Sequence, residues 1–174
     1  MSLLVVGTIA YDSVSLGTES RVDSLGGSAT YFSIAASFFT PVAVVAGVGK
    51  DFEDSDRQYL LSRGVDISGM ETAGGQTFRW SGSYDPNNMN MRETLETKLN
   101  VLAEFTPVID DKHKNSDYLF LANIDPLIQI NVLEQMASRP RLVAMDTMNF
   151  WIDDHVENLR ETVALVDVLF MDEN

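Results

Sequence analysis

Short unbroken apolar runs alternate along this chain with longer stretches whose apolar residues recur at helical spacing. Leu3-Leu4-Val5-Val6, closed by Gly7, reads as a strand buried on both faces. Ala29, Phe32, Ala36 and Phe39 then predict a helix over 28–39, opened by Gly26-Gly27 and stopped by Pro41. A second buried strand follows at Val42-Ala43-Val44-Val45-Ala46. After the Gly47-Val48-Gly49 turn, Asp51 or Asp54 caps a helix through Tyr59-Leu60-Leu61 that Gly64 closes. The rhythm returns later. Tyr118-Leu119-Phe120-Leu121 is a strand, with Asp125 as N-cap, Pro126 at the first helical position and a helix over 127–137 behind it. Leu142-Val143-Ala144-Met145 is a strand, followed by a helix near 154–165 and a last strand at Val168-Leu169-Phe170-Met171. Apolar strands alternating with amphipathic helices predict an α/β fold with a doubly wound, mostly parallel sheet.

Residues 74–106 break the rhythm. Residues 76–84 and 92–105 read as extended segments around the polar turn Asp85-Pro86-Asn87-Asn88, although Leu95, Leu99 and Leu102 also match helical spacing. This is the pattern of a small β-rich insertion, either a lid or interface or a plain surface excursion. The polar stretch 110–115 marks the return to the main sheet. Each earlier strand is followed by a helix, whereas the strand at 168–171 has none after it. A half-built sheet would expose a long apolar edge. The expectation is therefore that residues 1–174 form the N-terminal part of a single larger domain.

Composition narrows the function classes. The net charge is −14, from 26 acidic and 12 basic residues, a surface that repels phosphate backbones and anionic lipid. Nucleic acid and membrane are thus not expected as partners. No cysteine occurs, so disulfides, thiolate catalysis and cysteine zinc sites are excluded. The most apolar stretch, 34–48, is interrupted by Ser37, Thr40 and Pro41 and is too short to span a bilayer. No basic region precedes the first strand, which leaves a soluble, cytoplasmic protein as the expectation.

Four places carry candidate chemistry. Asp12 follows the first strand, where ligands gather in doubly wound sheets, and a carboxylate there can accept two hydrogen bonds from neighbouring hydroxyls. Taken alone, it reads as a solvated loop aspartate. Gly26-Gly27-Ser28-Ala29-Thr30-Tyr31 puts glycines before a helix N-terminus, where backbone can approach a ligand; alone, the pair reads as a turn. Gly47-Val48-Gly49-Lys50-Asp51 reads mainly as a strand-to-helix turn with Asp51 as cap. Asp146-Thr147-Met148-Asn149 could help hold Mg²⁺ through its waters, or cap the next helix. His113 and His155 have no partner at metal-ligand spacing, and no nucleophile elbow occurs.

In order and spacing these features resemble the ribokinase/PfkB family of carbohydrate and nucleoside kinases. The matching pieces are Gly7 with Asp12, the Gly26-Gly27 pair, Gly47-Val48-Gly49-Lys50-Asp51, the β insertion, Asn123-Ile124-Asp125-Pro126, Asp146-Thr147, and the stretch from Val166 to Asn174. The resemblance implies a doubly wound sheet with a β lid that often builds a homodimer. It implies transfer of the ATP γ-phosphoryl group to an alcohol, with Mg²⁺ and ATP held mainly by residues beyond this sequence. Asp12, Gly26, Gly27, Ser28, Tyr31 and Asn123 would face the substrate, and Asp146 and Asp172 the phosphate and Mg²⁺ region. No catalytic residue is expected among the 174. The family's base lies in a Gly-Ala-Gly-Asp motif that this sequence lacks, expected downstream of Asn174. The substrate implied is a sugar, with an adenosine-like nucleoside or a non-catalytic ligand-binding role as alternatives. Asp172 stands where an asparagine is usual, before a glutamate expected one position beyond Asn174. Tyr31, Ser28 and Ala10 replace a common asparagine, lysine and asparagine, which argues against ribose itself.

Overall fold

A computed structural model describes residues 1–172. The chain runs β1 (Leu3–Val6), β2 (Ala10–Leu16), β3 (Glu19–Gly26), α1 (Ser28–Ser37), β4 (Val42–Gly49), α2 (Asp54–Ser62), β5 (Val65–Ala73), β6 (Arg79–Asp85) and β7 (Asn88–Lys98). A 3-10 turn (Asn100–Glu104) leads to β8 (Tyr118–Leu121), α3 (Pro126–Gln135), β9 (Leu142–Asp146), α4 (Asn149–Asp154), α5 (Val156–Val163) and β10 (Val168–Phe170).

Six strands build one parallel sheet in the order β10-β9-β8-β1-β4-β5. The chain starts in the middle, winds outward through β4 and β5, then returns to the far side of β1. That reversal is the doubly wound topology the alternating pattern predicts, and it opens a crevice beyond the strand ends beside β1. The period of two in β1 explains the double burial. Leu4 and Val6 join one core with Leu119, Leu121, Val132 and Leu159, while Val5 joins the other with Val44, Ala29, Leu60 and Phe120. Phe32 of α1 stacks on Phe120 with ring centroids 3.6 Å apart, fixing the helix over the sheet.

Several boundaries differ from the sequence pattern. β5, which the sequence pattern did not mark as a strand, has no continuous apolar run, and its half-polar pattern suits a sheet edge. The helix expected near 154–165 is two short helices split at His155. Leu99 and Leu102 belong to the 3-10 turn region, and Leu95 to a strand. Asp125 caps α3 as expected, its Oδ1 accepting from the Leu127 N–H at 2.8 Å.

The second sheet is four-stranded, in the order β3-β2-β6-β7. Residues 74–106 supply β6 and β7; the remaining two strands come from 10–26, which the sequence pattern left unread. β2 pairs parallel to β6, so the two hairpins are joined side by side by a non-local contact.

The second sheet is tied down at its root. Asp51, expected to cap α2, instead accepts from the Thr77 N–H at 2.7 Å, the Thr77 hydroxyl at 2.8 Å and Arg79 Nη1 at 2.7 Å. The residue at the N-cap of α2 is Glu53, without a side-chain cap bond. Arg79 also reaches Asp23 at 3.3 Å and lies over the Tyr11 ring. Burial pushes the Asp51 carboxyl up, but the hydrogen bonds from Arg79 and Thr77 outweigh it and hold the carboxyl below its ordinary range. No helix among the described residues is long and apolar enough to cross a membrane.

Candidate functional site

Asp12 sits near the start of β2 in the second sheet, not on a loop. Its backbone opposes Ser24 across the β2–β3 pair, two residues from the end of β3 at Gly26. Gly26 lacks the β-carbon that would collide with the Asp12 carboxylate, and Gly27 donates its N–H to Asp12 Oδ2 at 3.3 Å. Gly27 has φ +91°, and a β-carbon there would meet the Thr8 carbonyl. The two glycines therefore have separate reasons: one yields space to a carboxylate, the other makes the turn into α1.

Thr8, missed in the sequence pattern, organises that turn. Its Oγ1 accepts from the Ser28 N–H at 3.3 Å and lies 3.2 Å from Ser28 Oγ, and its carbonyl accepts from the Ala29 N–H at 3.0 Å. A buried threonine at the end of a central strand carries no sequence signature distinguishing it from a core residue.

Asp12, Gly27, Ser28, Tyr31 and Asn123 line one cavity of about 390 Å³, bounded by Trp80, Tyr84 and Arg92 of the second sheet, by Phe78 just ahead of β6, and by Thr8 and Met148. Phe78, Trp80 and Tyr84 occupy alternate positions, with Gly82 between them leaving room for the Trp80 indole. That period-two aromatic row was available in the sequence. Burial pushes the Asp12 carboxyl up to about 6, partly offset by the Gly27 N–H. Tyr31 is raised too, by burial and then by the charges of Asp12 and Tyr84.

Asn123 is held rather than loose. Its Oδ1 accepts from Trp151 Nε1 at 2.9 Å and its Nδ2 lies 3.0 Å from Met148 Sδ. Asp146 ends β9 behind it. Burial pushes the Asp146 carboxyl up to about 7 against the backbone N–H groups of Asn123 and of Asp146 itself. Asp146 Oδ1 and Thr147 Oγ1 are buried with no hydrogen-bond partner among the described residues. Asp172 pairs with Arg92 of β7 at 2.8 Å. Glu173 and Asn174 lie outside the described residues. A second cavity of about 430 Å³ adjoins the first through Arg92 and Met148 and includes Asp153 and Asp172. Among the described residues no cluster of three or more histidine or acidic side chains could ligate a metal. Asp146, with one unpartnered buried oxygen, fits at most a water-mediated cation contact.

A parallel sheet wound in two directions from β1, with a four-stranded sheet over the crevice, is the ribokinase-type α/β fold. Solved structures bear this out. The Methanocaldococcus jannaschii nucleoside kinase, an archaeal member of the ribokinase family, superposes with a TM-score of 0.74 at 20% identity over 98% of this chain and 60% of its own. The ribokinase of Cryptococcus neoformans var. grubii in complex with ADP matches with a TM-score of 0.69 at 14% identity, over 84% of this chain and 49% of its own. The Burkholderia thailandensis nucleoside kinase in complex with inosine gives 0.70 at 13%, over 96% and 59%. The chain thus spans about half to three-fifths of these structures' length. No protein-family profile and no curated protein matches the sequence.

Proposed function

We propose that this chain forms the substrate-binding part of an ATP-dependent kinase that phosphorylates a hydroxyl of a small polyol, a sugar in the first instance. The observation that carries the reading is Asp12, a half-buried carboxylate that lines the cavity, with space left for it at Gly26. A carboxylate that is not ion-paired and has one backbone donor retains acceptor capacity, which two vicinal hydroxyls would use. Ser28 and Tyr31 flank it, and the aromatic row of β6 excludes water from the bound hydroxyls, strengthening each hydrogen bond. Asn123, oriented by Trp151, offers a further amide to the ligand.

In phosphoryl transfer, positioning and charge neutralisation supply most of the rate enhancement. Asp146 would hold Mg²⁺ through its waters, and that ion neutralises phosphate charge when bound. The nucleotide and the base belong, in this reading, to residues outside the present sequence, which contains no Gly-Ala-Gly-Asp stretch. An association of two lids through β3 or β7 is part of the same proposal.

A nucleoside substrate is the second reading, favoured by Phe78, Trp80, Tyr84 and Tyr31 around one cavity, since flat rings stack on a base as well as on a sugar face. Phosphoryl transfer from Mg·ATP to a panel of sugars and nucleosides, with calorimetric binding alongside, tests both. Transfer to sugars upholds the first reading and transfer to nucleosides alone the second. Binding without transfer to any acceptor leaves a ligand-binding protein instead.

A further inference from the structure

Arg92 projects from β7 to the junction of three adjoining cavities. It lines the first together with Asp12 and Tyr31, the second with Asn149 and Asp153, and a third of about 350 Å³ with Tyr84 and Asp85. Among the described residues lining these cavities it is the only basic one, in a chain with more than twice as many acids as bases. Its ion pair reaches across 80 residues to Asp172, through Nη1 at 2.8 Å, with side-chain exposures of 35% and 37%. An ion pair so open to water contributes little stability and exchanges readily. A guanidinium presents five donors in a planar fork that matches the oxygens of a phosphate or carboxylate.

We infer that Arg92 is a specificity-determining residue and that the ligand of the Asp12 cavity carries an oxyanion, phosphate or carboxylate, which takes the place of Asp172 on the Arg92 guanidinium. The inference rests on the reading of this cavity as the substrate site. It adds a second anchor of opposite chemistry: Asp12 accepts from hydroxyls, and Arg92 donates to an anion in the same cavity. Together they fix which end of a polyol faces which wall. The Asp172 carboxylate acts as an internal stand-in for that anion.

Calorimetric titration with glucose, glucose 6-phosphate and gluconate, and with ribose and ribose 5-phosphate, tests this on the protein and on three variants. The expected result is that an anionic member binds roughly tenfold to a hundredfold more tightly than its neutral parent. Whether the phosphate or the carboxylate gains identifies the anion. Arg92→Gln should weaken the anionic ligand far more than its neutral parent, so that the gain disappears, and Asp172→Ala should tighten the anionic ligand alone. Equal affinity for neutral and anionic members overturns the inference. So does an equal loss for both in Arg92→Gln and Asp172→Ala, the behaviour of a purely structural clasp between lid and sheet. Asp12→Ala separates the underlying site reading. Loss of every ligand in that variant upholds it, and no binding of any ligand to the parent protein removes both.

Discussion

The carboxylate of Asp12 fills the space where a β-carbon on Gly26 would stand, and the next residue, Gly27, donates its N–H to that same carboxylate. Two adjacent glycines thus serve one aspartate in different ways, and substitution should separate them. Gly26→Ala meets the far end of a side chain that can swing away, so stability should fall by less than about 1 kcal/mol while ligand affinity drops sharply. Gly27→Ala forces φ +91° on an alanine and drives its β-carbon into the Thr8 carbonyl, with an expected loss of roughly 2–4 kcal/mol. Urea unfolding of both variants, beside ligand titration, reads the contrast. Equal destabilisation would show that Asp12 is not free to move.

Ligand binding should depend on pH through Asp12. Its carboxyl is pushed up to about 6, so the accepting, ionised form dominates only above that. Affinity should be flat above pH 7 and weaken by up to about tenfold for each unit below pH 6. Asp12→Asn should be weak and pH-independent in the same titration. A bound ligand whose affinity is level from pH 5 to 8 would place its hydroxyls elsewhere.

Asp146 should cost stability at neutral pH. Its carboxyl is raised to about 7 by burial, so the favourable, protonated state is complete below the unfolded value near 4 and is lost as pH rises through 7. Asp146→Asn keeps an acceptor for the Asn123 N–H and removes the buried charge. The variant should be more stable than the parent by roughly 2–4 kcal/mol at pH 8 and little changed at pH 4.5, measured by urea denaturation. Addition of Mg²⁺ should raise the parent's stability at pH 8 and leave the variant's unchanged.

The root of the second sheet should titrate with the opposite sign. Asp51 is held below its ordinary range, so its contribution is present above pH 4 and lost as pH falls through its folded value. Arg79→Met or Asp51→Asn should cost roughly 1–3 kcal/mol at pH 7 and flatten the acid limb of the stability curve. Proteolysis at neutral pH should then cut preferentially in β6 and β7, and uniform cleavage along the chain would show that Arg79 does not fasten the second sheet.

Much of the main sheet was legible because its strands are buried on both faces, and such burial leaves continuous runs like Leu3–Val6 and Tyr118–Leu121. The second sheet was only half legible. Residues 19–26 are mostly exposed, with burial confined to the end at Gly26, so no apolar alternation marks β3. Asp51 was misread because a capping aspartate and one bound to a distant Arg79 look alike in sequence; 28 residues separate the pair. Arg92 carried no signal at all, since its meaning depends on what surrounds it.

The sequence by itself determined the alternation of strands and helices, the parallel winding that follows from it, the glycine pair before α1 and the lone aspartate beyond β1. These are local properties, set by side-chain periodicity and backbone freedom. Only the tertiary structure decided that Asp12 lies on a strand against Gly26, that residues 10–26 join 79–98 in one sheet, and that Arg92 meets both the Asp12 cavity and Asp172. Those facts rest on pairings between residues far apart in the chain, and a carboxylate's acidity or a guanidinium's partner is set by the dielectric and charges that such pairings bring together.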